Sequence, residues 1–113
     1  MAAPTPFALT FSPQARAKID AFLARITGYP PTLCIMKGRT LPETDDKWTY
    51  GAYGPDNLKA LAPDFERQGK PLLYAVDGLS VAIPQYHLLH ELEGKVLELG
   101  DGCLIVSDGK AAI

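Results

Sequence analysis

A chain of 113 residues, 47% of them hydrophobic and 21% charged, is long enough for one domain with its own core. The formal net charge is −2, and the lysines and arginines are scattered along the chain. Proteins that bind nucleic acid or anionic membranes usually carry a basic face, so we expect neither partner.

The two cysteines, Cys34 and Cys103, both lie within apolar runs. A small secreted domain that depends on disulfides usually has more cysteines. The first residues lack the cationic start and the long apolar run of a signal peptide, and no segment is long enough to span a membrane. These features predict a cytoplasmic protein with free, buried thiols, and a single disulfide remains the alternative.

A helix is the clearest element of the N-terminal half. Residues 1–6 are small and proline-rich and predict a flexible arm, and residues 7–11 can form a short edge strand. Ser12 can cap a helix that begins at Pro13, where the missing N–H costs nothing. Apolar residues continue at helical spacing towards Gly28, which predicts the end of this helix.

Two strands are predicted next. Residues 32–36 form a short apolar run that is typical of a buried strand. Residues 38–46 are polar and predict a loop. Residues 47–53 then alternate between apolar and polar side chains, as a strand does.

The segment 55–69 gives a mixed signal. It contains apolar residues at helical spacing, but Pro63 interrupts them, and proline disrupts a helix interior. We therefore expect one or two helical turns, capped near Asp56 or Asn57, followed by a connector.

The stretch 71–106 has the most regular pattern in the chain. Its first part contains Asp77-Gly78 between two apolar runs, 72–76 and 79–83. This is the strongest short-range hairpin signal, because both central residues of a type I′ turn need a positive φ. The first part therefore predicts two antiparallel strands.

A short helix and a second hairpin are predicted in the rest of this stretch. Pro84 can open a helix of about two to three turns that ends at Gly94. Residues 95–99 and 103–106 flank a glycine-rich turn and predict the second hairpin, and residues 107–113 predict a tail. Together the elements predict a single α+β domain over residues 1–113, with mainly antiparallel short strands in a barrel-like or two-layer sheet.

The order of these elements resembles the HesB-like domain, the fold of the A-type iron–sulfur cluster assembly proteins. The family's helix start, Leu-Thr-x-x-Ala-x-x-x-Ile, is approximated by residues 9–19 (LTFSPQARAKI). The family's DG-x-x-V-x-V-D-P segment, which precedes a short helix and a final strand pair, is similar to residues 77–84 (DGLSVAIP). The resemblance spans residues 8–106 and implies a HesB-like fold.

The chain departs from this family at the cluster ligands. The family's carriers use one cysteine in a glycine-rich loop after the first core strand and a Cys-x-Cys pair near the C-terminus. The corresponding segments here, residues 37–42 (KGRTLP) and 107–113 (SDGKAAI), contain no cysteine. Cys34 and Cys103 match neither position. The resemblance therefore implies a relative without the cluster-binding residues, and we expect no iron–sulfur cluster or other cofactor.

His87, His90 and Glu91 form a candidate metal-binding group on the short helix. At about 100° per residue, His87 and Glu91 would lie nearly in line, with His90 beside them. Two imidazoles and a carboxylate can hold a divalent metal such as Zn²⁺. We favour the alternative, a solvated polar face opposite the leucines of this helix, because the same periodicity turns these residues outward.

Trp48, Tyr50 and Tyr53 form a candidate interaction patch. Large aromatic side chains on an exposed sheet can bind a partner protein, whereas buried ones belong to the core, which is more common. No group of acids, bases or nucleophiles predicts catalysis.

We therefore expect a non-catalytic HesB-like domain protein, an accessory or regulatory factor that contacts other proteins of iron–sulfur metabolism. A homodimer remains open. The alternative hypothesis is a protein that binds a metal ion or small molecule at His87, His90 and Glu91.

Overall fold

A computed structural model of the chain describes residues 4–39, 46–100 and 103–108, which form eight strands and three helices. The strands are β1 (Thr5–Pro6), β2 (Leu9–Phe11), β3 (Thr32–Arg39), β4 (Asp46–Tyr53), β5 (Leu73–Val76), β6 (Leu79–Ala82), β7 (Lys95–Leu99) and β8 (Leu104–Ser107). The helices are α1 (Pro13–Ala24), α2 (Pro55–Arg67) and a 3₁₀ helix (Tyr86–Glu91).

All eight strands belong to one mixed sheet with the order β1-β5-β6-β3-β4-β8-β7-β2. Three neighbouring pairs, β1–β5, β3–β6 and β2–β7, are parallel. The other four pairs are antiparallel. The prediction of an α+β fold is confirmed. The sheet is mixed, however, because a crossover connection makes β6 parallel to β3, and because the N-terminal strands β1 and β2 each pair in parallel with a later strand.

The N-terminal segment brings the two ends of this sheet together. β1 pairs with β5 at one end of the strand order and β2 pairs with β7 at the other, although only Phe7 and Ala8 separate β1 from β2. A linker of this length spans at most about 11 Å. The Phe7 N–H donates to the Ala75 carbonyl at 3.2 Å, and the Gly94 N–H donates to the Ala8 carbonyl. The sheet therefore curls into a barrel-like form.

The predicted boundaries at the two ends of the chain need correction. Thr5 and Pro6 lie in β1, so they are not part of a flexible arm, and Ser107 lies in β8, so it is not part of a tail. Residues 1–3 and 109–113 lie outside the described residues. Strand pairing with β5 and β7 decides these boundaries, and local composition does not indicate it.

The first helix begins as the sequence predicts. Ser12 is the N-cap, its hydroxyl accepts a hydrogen bond from the Ala15 N–H at 3.2 Å, and Pro13 follows as the first helical residue. Ala15 and Ile19 are fully buried and anchor α1 against the sheet. The helix ends at Ala24, and Gly28 lies beyond it with a φ of 93°.

The prediction for residues 55–69 is wrong, because α2 continues as a regular helix through Pro63 to Arg67. Pro63 is exposed, so water can reach the backbone groups that lose their partner there. The predicted cap is also wrong. Gly54 is the N-cap, and its N–H donates to the Asn57 side chain at 2.8 Å.

β3 and β4 extend into the segment that was predicted to be a loop. Their antiparallel pairing runs from Thr32–Tyr53 to Arg39–Asp46. β6 pairs with β3 only near Leu33 and Cys34, but Gln85 continues this edge. Its side-chain amide accepts from the Lys37 N–H at 2.6 Å and donates to the Lys37 carbonyl at 2.8 Å. Residues 40–45 of the predicted loop lie outside the described residues.

The Asp77-Gly78 hairpin is confirmed. Asp77 and Gly78 have φ values of 49° and 81°, and β5 and β6 pair directly on either side of them. The turn also has tertiary contacts, because the Asp77 carboxylate accepts from the Phe11 N–H at 3.3 Å. The second hairpin, β7–β8, is confirmed by its pairing, although residues 101–102 of its turn lie outside the described residues.

The sheet separates two groups of buried side chains. We call the first the inner cluster; it lies beneath α1 and the 3₁₀ helix and contains Leu9, Phe11, Ala15, Ile19, Leu33, Ile35, Trp48, Tyr74, Val76, Val81, Ile83, Leu92, Leu97 and Leu104. The outer cluster lies beneath α2 and contains Cys34, Leu58, Leu72 and Ala82. Adjacent strand residues such as Val81 and Ala82 enter opposite clusters, as the alternation of a strand requires. In the described part of the chain, no helix is long and apolar enough to cross a membrane.

Candidate functional site

The 3₁₀ geometry changes the predicted metal-binding group. The segment from Tyr86 to Glu91 is a 3₁₀ helix, in which residues three apart line up and the next residue turns away. His87 and His90 are therefore aligned, both exposed, whereas Glu91 is only partly exposed. The prediction assumed an α-helix, which would have aligned His87 with Glu91 instead.

Glu91 faces the sheet and has a cationic partner. Its carboxylate accepts a hydrogen bond from the Lys37 ammonium at 2.7 Å, and that ammonium lies 5.9 Å from the centroid of the Trp48 ring. The hydrogen bond from Lys37 is the main reason why the pKa of Glu91 lies below its usual value. A metal ion at Glu91 would have to compete with this contact.

Across residues 4–39, 46–100 and 103–108, no three His, Cys, Asp or Glu side chains are placed so that they could hold a metal ion together. The aligned histidines therefore lack a third ligand within the described residues. Metal binding at His87, His90 and Glu91 stays a prediction.

The candidate aromatic patch does not form one exposed surface. Trp48 is only 5% exposed and belongs to the inner cluster. Tyr50 packs against that cluster and meets Phe22 edge to face, with 5.1 Å between ring centroids. Tyr53 lies on the opposite face of β4 and packs against the outer cluster. The alternation of β4 is the reason why these side chains separate.

The Cys34 thiol is held in its neutral form. It is 1% exposed in the outer cluster, and burial raises its pKa, although the hydrogen bond with Tyr53 acts in the opposite direction. Burial, with the contact to Cys34, raises the pKa of Tyr53 to about 12. Because the thiolate is the nucleophile and the metal ligand, this environment favours a packing role for Cys34.

A groove with a volume of about 580 Å³ opens between α1, β4 and the β7–β8 hairpin. We call it the α1–β4 groove, and its walls include Lys18, Phe22, Thr49, Tyr50, Leu99 and Cys103. This volume lies within the range of about 300–1,000 Å³ that is usual for ligand sites, which often occur at the mouths of barrels. Cys103 is a free, partly exposed thiol in its wall.

The sequence contains only a partial signal for this groove. Lys18 and Phe22 are four residues apart on α1, so they share one face of the helix. The sequence does not indicate what this face meets, because the opposite wall is formed by strands more than twenty residues away. The groove therefore depends on tertiary structure.

A second groove, with a volume of about 400 Å³, lies between β1, β5 and the 3₁₀ helix. Three of its polar side chains have partners within the chain. The Lys70 ammonium lies 5.6 Å from the centroid of the Tyr86 ring, the Tyr86 hydroxyl bonds Gln68, and the Tyr74 hydroxyl donates to the Pro71 carbonyl at 3.2 Å. His90 and Glu93 also line this groove.

Comparisons of the chain with protein-family models, with curated proteins and with solved structures found no match.

Proposed function

We propose that this chain is a non-catalytic HesB-like domain that acts by binding other proteins, as an accessory or regulatory factor in iron–sulfur metabolism. The order of elements carries the proposal. An N-terminal helix capped by Ser12, the Asp77-Gly78 hairpin, a short helix and a final strand pair follow one another in the order that the resemblance implies.

The positions of the cysteines support a role without a cluster. Cys34 lies in β3 and points into the outer cluster, whereas Cys103 precedes β8 and lines the α1–β4 groove. Biological iron–sulfur clusters usually need about four ligands, most of them thiolates. This chain has two cysteines, and one of them is buried as a neutral thiol.

Anaerobic incubation with ferrous iron and sulfide tests the cluster part of this proposal. After desalting, we expect the wild type to show no visible absorbance above that of the Cys34→Ser, Cys103→Ser double variant. A stable chromophore that appears in the wild type and is lost in the double variant would overturn the proposal that the chain does not carry a cluster.

Binding of the wild type to purified iron–sulfur assembly proteins, measured by calorimetry, tests the other part. We expect saturable binding to at least one of them in the absence of iron. If none of them binds, the link to iron–sulfur metabolism is wrong.

A further inference from the structure

We propose that His87 and His90 together bind a divalent transition-metal ion such as Zn²⁺. The inference is independent of the proposed function, because it concerns a site on the 3₁₀ helix and not the binding of assembly proteins. Three features support it: the spacing of the two imidazoles, the anchoring of the helix that carries them, and their position at the surface.

The backbone of this segment has the winding of a 3₁₀ helix on both sides of its centre. The Leu88 N–H donates to the Gln85 carbonyl at 2.8 Å, three residues back. The Leu92 N–H donates to the Leu89 carbonyl at 2.9 Å, again three residues back. A 3₁₀ helix has three residues per turn, so side chains three residues apart lie on one side of it. Positions 87 and 90 are such a pair.

His87 and His90 therefore have the spacing of a chelating pair. Three residues advance about 6 Å along a 3₁₀ helix, which equals the advance of four residues along an α-helix. Two histidines four residues apart on one face of an α-helix bind zinc in the H-E-x-x-H motif. The 3₁₀ helix gives two imidazoles a similar separation with one residue fewer. Imidazole nitrogen is a ligand that suits zinc, copper and nickel.

The helix is anchored on both sides of the pair. Gln85 precedes the pair, and its side chain forms two hydrogen bonds with the Lys37 backbone, at 2.6 and 2.8 Å. Glu91 follows the pair and accepts a hydrogen bond from the Lys37 ammonium at 2.7 Å. Leu92 is fully buried in the inner cluster. A site whose residues are held in place before the ion binds loses less conformational entropy on binding.

Tyr86 restricts the ring of His87. The two rings meet edge to face, with 6.1 Å between their centroids. Tyr86 is itself held by Phe65, whose ring centroid lies 5.9 Å away, and by a hydrogen bond with Gln68. Both histidines are nevertheless exposed, so an ion can reach them from solvent.

Glu91 is not part of the proposed site. It lies four residues after His87, which on a 3₁₀ helix is about 120° away from the line that His87 and His90 share. Its carboxylate contacts Lys37 instead. The proposed site is therefore a pair of imidazoles, and it differs from the group of three that an α-helix would form.

Titration of the full chain with zinc chloride, measured by calorimetry, tests the inference. We expect saturable binding of one ion per chain. His87→Ala and His90→Ala should each weaken this binding at least about tenfold, because an ion held by one imidazole loses the gain from a second, linked ligand. Cys103→Ser is the control for the partly exposed thiol and should leave the affinity unchanged.

Proton NMR gives a second measurement that needs no variant. The chain contains two histidines, so every imidazole signal belongs to the proposed site. We expect the ring signals of both histidines to change together as zinc is added. A change in the signals of one histidine alone would overturn the pairing.

Exchange of the residues at positions 90 and 91 tests the geometry. The double variant His90→Glu, Glu91→His keeps the composition and moves one imidazole out of line with His87, so it should bind zinc at least about tenfold more weakly. Glu91→Gln is the matched control, because it removes the carboxylate without moving an imidazole. It should change the affinity by less than about threefold, since partly exposed ion pairs contribute little. Melting temperatures similar to that of the wild type would show that these variants remain folded.

Four outcomes of the titrations overturn the inference. They are the absence of saturable zinc binding, single histidine variants that bind as tightly as the wild type, an exchanged variant that does so, and a loss in Glu91→Gln as large as that in the histidine variants. The last outcome would identify the group of three residues instead. None of these outcomes decides the proposed function, which is judged by binding to the assembly proteins.

Discussion

The two faces of the sheet are covered to very different depths. Among the described residues, the inner cluster contains 14 buried side chains and receives α1, the 3₁₀ helix and residues of seven strands. The outer cluster contains 4 and depends on α2 alone for its cover. The inner cluster therefore contributes more to the stability of the fold. Substitutions in the outer cluster should lower the free energy of unfolding less.

The largest expected effect is the loss of a side chain from the inner cluster. Leu97 is fully buried on β7, between α1 and β2, and Leu97→Ala removes most of its side chain. We expect it to lower the free energy of unfolding by about 3–5 kcal/mol, because a cavity adds to the lost transfer energy. Urea denaturation followed by the fluorescence of the buried Trp48 measures this change.

Leu58→Ala is the matched change in the outer cluster. Leu58 is 8% exposed, and its neighbours on α2 can move into the space that it leaves. We expect the free energy of unfolding to fall by about 2 kcal/mol, which is at the low end for Leu→Ala substitutions in a core. If Leu58→Ala lowers the free energy of unfolding as much as Leu97→Ala does, the inferred difference between the two faces is wrong.

The next effect concerns the β5–β6 hairpin, whose strands contribute side chains to both clusters. Gly78 has a φ of 81°, a conformation that a β-branched residue resists, so Gly78→Val should cost about 1–3 kcal/mol. Gly38→Val makes the same change in β3, where φ is not left-handed and no atom lies within 4 Å of an added Cβ. We expect Gly38→Val to change stability by less than about 0.5 kcal/mol, as is usual for surface positions. Similar melting temperatures for the two variants would contradict the type I′ turn.

The smallest effect is confined to the outer cluster and to alkaline pH. Burial raises the folded-state pKa of Cys34 above its ordinary value of 9.0, so the folded chain keeps this proton after the unfolded chain has lost it. The contribution of Cys34 to stability is complete below pH 9.0 and is lost as the pH rises through the folded pKa. The free energy of unfolding should therefore fall as the pH rises above 9.0, by up to about 1.4 kcal/mol per pH unit for one proton.

Cys34→Ala should make this alkaline decrease shallower and leave the acidic side unchanged. Tyr53→Phe should act at higher pH, because the pKa of Tyr53 rises to about 12. Urea midpoints measured between neutral and alkaline pH give these slopes. A slope that is the same in Cys34→Ala and the wild type would show that the thiol does not cause the decrease.

Short-range patterns predicted the elements whose signals are local. The Ser12-Pro13 start of α1 depends on one hydroxyl and one ring, and the Asp77-Gly78 turn depends on two φ angles. α2 was underestimated because local rules weigh Pro63 against a helix and cannot show that its position is exposed. The segment 86–91 was predicted to be an α-helix, and this error alone led to the prediction that His87 lines up with Glu91. In the 3₁₀ helix, His87 lines up with His90.

The sequence by itself determined where α1 begins, where the chain reverses at Gly78, and which strand residues alternate. These features depend on residues that are adjacent in the chain. Only the tertiary structure decided that β1 and β2 join the two ends of the sheet and that Glu91 meets Lys37. These contacts join residues far apart in the chain, and strand alternation fixes the face of a side chain without indicating its neighbour.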